Sequence, residues 1–170
     1  MSSTPAQKRS LQVAVLTVSD TRTSENDTSG DALAELLLAD GHQIAARVIV
    51  KDDIYQMRAQ VSAWIADADI QAILTTGGTG FYNRDSTPEA LGILFDKTID
   101  GFGELFRQLS YQEIGTSTVQ SRAIAGIANK TVIFCVPGST GACKTAYQGI
   151  IQEQLDSSHR PCNFIGALNL

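Results

Sequence analysis

The sequence predicts an α/β fold, with a mostly parallel sheet covered on both faces by helices. Apolar runs of strand length alternate with segments whose apolar residues recur at helical intervals, the pattern of successive βαβ units. The runs at 11–19 (LQVAVLTVS), 70–75 (IQAILT) and 131–136 (TVIFCV) are almost continuous in apolar residues, as strands buried on both faces are. Two of these runs lead straight into loops rich in glycine and hydroxyl residues, TTGGTG and PGST.

Taken in order, residues 1–10 read as a mobile polar tail and 11–170 as a single domain. The strand at 11–19 ends in the polar stretch 20–30 (DTRTSENDTSG). Leu33, Leu36 and Leu37 then follow helical spacing, and Asp40-Gly41 supplies a stop. Residues 42–50 alternate as a second strand. Ile54, Met57, Val61, Trp64 and Ile65 mark a second helix, on whose apolar stripe Trp64 serves as core. After the third strand, 86–95 (STPEALGILF) opens another helix, with Ser86 and Glu89 at capping-box spacing. Residues 102–128 read as helical with breaks at Gly115 and Gly126. An amphipathic helix follows the strand at 131–136 and runs to about Leu155, and the end, RPCNFIGALNL, packs back on the body or a neighbour.

Length and charge narrow the function. A chain of 170 residues fits one core. Net charge is −5, and no basic run exceeds Lys8-Arg9, which argues against nucleic acid as partner. No apolar run approaches the ~20 residues of a membrane span, and the polar start lacks an export signal. Cys135, Cys143 and Cys162 show no CxxC spacing, and His42 and His159 lie far apart, so no zinc cluster is expected. These features predict a cytoplasmic location.

The chemistry concentrates in the loops. Thr76, Gly77, Gly78, Thr79 and Gly80 follow a buried strand, where open α/β sheets take their ligands. Glycine lets backbone approach an anion, and threonine adds donors. The loop is neither a P-loop, lacking the Lys-Ser/Thr ending, nor a dinucleotide fingerprint, since position 83 is Asn. Gly138 and Ser139 form a second such loop opening the last helix, where free N–H groups suit phosphate. Two loops of this kind at neighbouring strand ends favour an elongated phosphorylated ligand.

A carboxylate beside phosphate-binding backbone makes sense when a divalent cation bridges the two. Asp85 and Asp52 are the candidates for that metal and for catalysis. One of Asp52 and Asp53 caps the second helix, and Asp52 is assigned to the metal side. Asp20 and Asp27 read as turn and cap. Arg84, Arg107, Arg122 and Lys144 are candidate phosphate partners.

Seven motifs in this order, LTVSD (16–20), DTSG (27–30), TTGGTG (75–80), DSTPEA (85–90), GFGELFRQLS (101–110), STVQSRAIAG (117–126) and VPGST (136–140), resemble the MoaB/MogA family of molybdenum-cofactor biosynthesis proteins. The resemblance covers about 11–168. VSAWIA (61–66) and the ending RPCNF bring it nearer the MoaB branch. It implies a three-layer α/β/α sandwich assembled as a homotrimer or dimer of trimers. It also implies molybdopterin binding and transfer of AMP from ATP with Mg²⁺ onto the molybdopterin phosphate, with Asp85 and Asp52 carrying the metal-dependent step. Glu104 falls on a further family motif without an assigned role. Nucleotidyl transfer needs no protein nucleophile, which suits a chain without a Ser-His-Asp or Cys-His set. A non-catalytic molybdopterin carrier and a flavodoxin-like electron carrier are the competing readings.

Overall fold

The computed structural model describes residues 8–82 and 84–170. Most of the predicted tail therefore lies outside the described residues. Its last residues are pinned: Lys8 pairs with Asp156 at 3.3 Å, and the Arg9 amide donates to Ser157 Oγ at 2.9 Å.

Six strands form one sheet, β1 (Gln12–Val18), β2 (Gln43–Val50), β3 (Ala72–Thr76), β4 (Lys97–Thr98), β5 (Ile124–Ala128) and β6 (Thr131–Val136), in the order β2-β1-β3-β6-β5-β4. The pairs β1–β2, β1–β3 and β3–β6 are parallel; β5 runs antiparallel to β6 and to β4. The helices are α1 (Thr28–Ala39), α2 (Ile54–Ala66), α3 (Thr87–Leu91), α4 (Asp100–Ile114), α5 (Thr140–Ala146) and α6 (Gln152–Gln154). A π-helical turn, Tyr147–Ile151, joins the last two into one continuous rod.

Strand side chains alternate between two cores, as the period of two requires. Val13, Val15, Leu74, Val132 and Phe134 pack with Leu33 and Leu37 of α1, Phe102 and Phe106 of α4, and Tyr147. Ala14, Leu16, Ile73, Ile133 and Cys135 pack with Met57, Val61 and Trp64 of α2 and Leu91 of α3. The result is the expected α/β/α sandwich, with Trp64 in the core. Among the described residues, no helix is long and apolar enough to cross a membrane.

Two expectations are corrected. Residues 102–128 are not one broken helix: α4 ends at Ile114, a 3₁₀ segment covers Gly115–Gln120, and Ile124–Ala128 is a strand. IAGIA is too short and too small-sided for its pattern to separate helix from strand. Pairing with β6 decides it, and the Phe95 ring lies against Gly126 where a Cβ would sit. Ser86 stands at the N-cap of α3 but makes no side-chain cap hydrogen bond, because its hydroxyl is turned to Asp52.

Candidate functional site

A pocket of about 460 Å³ opens at the carboxyl ends of β1, β3 and β6, between the loops that follow them. The chain leaves β1 toward β2 on one side and returns to β3 on the other, the topological switch point where α/β sheets form their ligand crevice. One wall comes from α4 and the 3₁₀ segment after it, with Phe106, Ser110, Ile114, Ser117 and Gln120.

The floor is backbone. Gly77 and Gly78 have φ of +103° and +68°, a region that side chains disfavour. A Cβ on Gly77 would overlap the Val18 carbonyl, and one on Gly78 would overlap Thr87 Oγ1. The Thr87 amide donates to Gly78 O at 2.9 Å and its hydroxyl to Gly77 O at 2.8 Å, so the start of α3 fixes the loop. The second loop meets the first directly, since a Cβ on Gly138 would lie 3.3 Å from Gly77 Cα. The Thr76 hydroxyl donates to Pro137 O at 2.9 Å, which ties the two loops together and removes Thr76 as a side-chain donor to ligand. Thr79, Gly80 and Ser139 line the pocket. Ser139 Oγ accepts the Ala142 amide at 3.1 Å as the cap of α5, which leaves its own proton to donate. Ser121, also on the wall, has a buried Oγ without a hydrogen-bond partner among the described residues.

As expected, one of the two adjacent carboxylates is taken up as a helix cap. Asp53 caps α2, accepting the Tyr55 and Gln56 amides at 3.0 and 2.8 Å. Asp52 is thereby free of the helix, and its Oδ1 accepts from Ser86 Oγ at 2.7 Å. It stands behind Gly78, not on the pocket wall: a Cβ on Gly78 would come 2.9 Å from Asp52 Oδ2. Asp85 lines the pocket and accepts the Tyr82 amide at 3.2 Å. Burial raises the Asp52 pKa against the pull of Ser86, and the charges of Asp85 and Asp20 add to the rise. Among the described residues neither Asp52 nor Asp85 has a salt bridge, and no group of three or more His, Cys, Asp or Glu is arranged to hold a metal. A pair of unneutralised carboxylates beside backbone N–H groups still fits magnesium, which takes one or two carboxylates and completes its shell with water and phosphate oxygens.

Asp27 is more than a cap. It accepts the Gly30 amide at 3.0 Å, is fully buried at the pocket edge, and also accepts from Thr17 Oγ1 at 2.7 Å and Arg47 Nη2 at 3.0 Å. Burial raises its pKa, but these hydrogen bonds outweigh burial and hold the carboxyl below its ordinary value. The sequence offered DTSG as a cap; nothing in it located the partner Arg47 on β2.

None of the four candidate cations lines the pocket. Arg84 pairs with Asp20 at 2.6 Å. Arg107 donates to the carbonyls of Ser121 and Ala123, and Arg122 holds the carbonyls of Gly80 and Asp85. Lys144 borders a separate groove with Gln112 and Glu113, and Glu104 lies exposed on α4 outside the pocket. The cation that does line it is Arg22, which charge reasoning passed over because it stands in an undistinguished polar stretch. Cys135 and Cys143 are buried, their thiols pushed up to about 12 and about 11 by desolvation, and neither is poised as a nucleophile.

Fold and pocket together define an α/β/α domain with a backbone-floored crevice at the switch point of its sheet. The chain belongs to the MoCF_biosynth family, described as a probable molybdopterin binding domain, whose model matches residues 14–157. Molybdenum cofactor biosynthesis protein B of Escherichia coli strain K12 is 57% identical over 153 residues, covering 90% of each chain. A crystal structure of a molybdenum cofactor biosynthesis protein B superposes with a TM-score of 0.84 at 44% identity, covering 90% of this chain and 94% of the other. The tungsten cofactor synthesizing protein MoaB from Pyrococcus furiosus gives 0.76 at 36% identity, covering 85% and 92%. Family and relatives agree on molybdenum cofactor biosynthesis, and the expected resemblance to the MoaB branch is borne out.

Proposed function

We propose that the chain binds molybdopterin and transfers AMP to its phosphate from ATP. The observation that carries this reading is the Gly77–Gly138 contact, which joins two anion-competent loops into one floor with the Asp85 carboxylate at its margin. A phosphate oxygen of molybdopterin attacks the α-phosphorus, the new P–O bond forms, the bond to the bridging oxygen breaks, and pyrophosphate leaves.

No protein proton or nucleophile is needed, so the task of the chain is alignment and charge neutralisation. In this reading the amides of 78–80 and 138–139 donate to phosphate oxygens, as do the Ser139 and Ser121 hydroxyls, while the Gly77 amide is held by Val136 O at 3.0 Å. Magnesium, when bound, is held by Asp85 with Asp52 behind it and supplies neutralisation of the phosphate charge. The volume suits a small ligand, being inside the ~300–1,000 Å³ range of such pockets.

The test is pyrophosphate release from ATP and Mg²⁺, with and without molybdopterin, by the natural chain and by Asp85→Asn. Release that requires molybdopterin and vanishes in the variant supports the transferase. Bound molybdopterin without release would sink it in favour of a carrier. In either case the assembly, expected as a homotrimer or dimer of trimers, is read by sedimentation, and a monomer would overturn that expectation.

A further inference from the structure

A pocket floored by neutral amides and edged by Asp85 needs positive charge if it is to hold phosphate. Of the four cations singled out by sequence, Arg84, Arg107 and Arg122 are engaged by other groups, and Lys144 borders a separate groove. Arg22, in the loop between β1 and α1, is the only Lys or Arg lining the pocket among the described residues. Among the described residues its guanidinium makes a single hydrogen bond, from Nη1 to Asn26 O at 2.6 Å, and no carboxylate pairs with it. The other pocket charges differ: Asp27 is already neutralised by Arg47, and among the described residues Asp85 has no ion pair. Arg22 is thus an uncompensated cation at the mouth of a neutral floor.

The backbone beneath it is fixed. Ser19 Oγ accepts the Thr21 and Arg22 amides at 3.2 and 3.1 Å, and Asn26 Oδ1 accepts the Thr23 amide at 2.8 Å. The Ser19 amide in turn donates to Val50 O at 2.9 Å, which anchors the loop to the sheet. Asn26 therefore holds both ends of the presentation, Thr23 through its side chain and the guanidinium through its carbonyl.

We infer that Arg22 is the phosphate-binding cation of this pocket, pairing through its free N–H fork with a phosphate or pyrophosphate group of the ligand. This rests on the reading that the pocket takes a phosphorylated ligand, and it names the residue that selects for one. A guanidinium presents two parallel donors to two phosphate oxygens, and such charge-assisted pairs are stronger than neutral hydrogen bonds.

The probe is inorganic pyrophosphate, titrated calorimetrically with and without Mg²⁺ into the natural chain and the Arg22→Gln, Arg22→Lys and Lys144→Gln variants. Arg22→Gln should weaken binding about tenfold or more and flatten its dependence on salt. Arg22→Lys keeps charge without the fork and should fall between. Lys144→Gln should bind like the natural chain. An unchanged thermal midpoint separates loss of the contact from loss of fold, and Arg22→Lys decides if Gln lowers it. Natural affinity in Arg22→Gln overturns the inference while leaving the proposed reaction standing. No pyrophosphate binding by the natural chain overturns both. Failure of AMP transfer alone would leave pyrophosphate binding and its dependence on Arg22 intact.

Discussion

Arg122 Nη2 donates to the backbone carbonyl of Asp85 at 2.9 Å while its Nε donates to the carbonyl of Gly80 at the same distance. Its amide bonds Thr79 O at 3.0 Å, its Nη1 pairs with Glu89, and its guanidinium lies 5.0 Å from the Phe81 ring centre. One side chain thus clamps both ends of the loop that carries the candidate metal carboxylate. Arg122→Gln leaves part-buried carbonyls unpaired and should cost about 1–3 kcal/mol. The exposed Glu89 pair adds little to that. Hydrogen exchange should accelerate at the Tyr82, Asp85 and Arg122 amides, which are hydrogen-bonded within this loop, and stay unchanged in β1. Uniform exchange across the chain would remove the clamp. Arg122→Lys should rescue little, since it cannot reach both carbonyls.

Asp52 and Asp53 should separate cleanly. Asp53→Ala removes the α2 cap and should cost about 1 kcal/mol in denaturant unfolding with pyrophosphate binding retained. Asp52→Asn removes a half-buried charge whose pKa is raised by burial and by Asp85 and Asp20. A carboxyl with a raised native pKa is destabilising once ionised, so this variant should be no less stable at pH 7. It should lose Mg²⁺-dependent AMP transfer. Full transfer by Asp52→Asn would strike Asp52 from the site.

The turn between β5 and β6 has two residues at positive φ, Asn129 at 47° and Lys130 at 62°. A two-residue hairpin of this hand favours Asn-Gly, and lysine carries a steric penalty there. Asn129 is held by its amide on Asp96 Oδ2 at 2.7 Å and its side chain on Ile65 O at 2.9 Å. Lys130→Gly should therefore raise stability by about 0.5–1 kcal/mol, measured by the denaturant midpoint. A lower midpoint would show that lysine's left-handed conformation carries no strain.

His42 is 1% exposed, and its Nδ1 accepts the Leu11 amide at 3.2 Å, so the ring is held neutral. Burial lowers its pKa below 6.5, Lys8 lowers it further, and Asp40 and Asp156 oppose both. The unfolded chain then binds more protons below pH 6.5 than the folded one. Stability contributed by His42 is complete above pH 6.5 and falls as pH drops from there toward the native value, by up to about 1.4 kcal/mol per pH unit. His42→Gln should be less stable at pH 7.5, with a shallower loss between pH 7.5 and 5.5. An equally steep loss in the variant would assign the slope to other groups.

The parallel half of the fold was legible because its code is redundant. The continuous apolar run of β1, the Asp40-Gly41 stop and the helical stripe through Met57, Val61 and Trp64 each point to the same architecture. The antiparallel part was not. β4 has two residues, β5 has a helix-compatible pattern, and the hairpin carries lysine where glycine is expected. In the site, the glycine loops could be read because backbone floors require small residues in sequence. The roles of Arg22, Arg47 and Arg122 could not, since a guanidinium's task is set by which acceptors the fold brings to it.

The β5–β6 pairing also favours one order of assembly. Ala128 pairs with Thr131 across two residues, whereas the parallel pairs join positions as remote as Val13 and Ala72. Short loops close at small entropic cost and distant ones late, so this hairpin is the cheapest nucleus in the sheet. β6 then offers the edge on which β3 docks, and β3 the edge for β1. On that route the Ser121–Ser139 side of the crevice exists before the Arg22 loop arrives, and ligand competence is the last property the folding chain acquires.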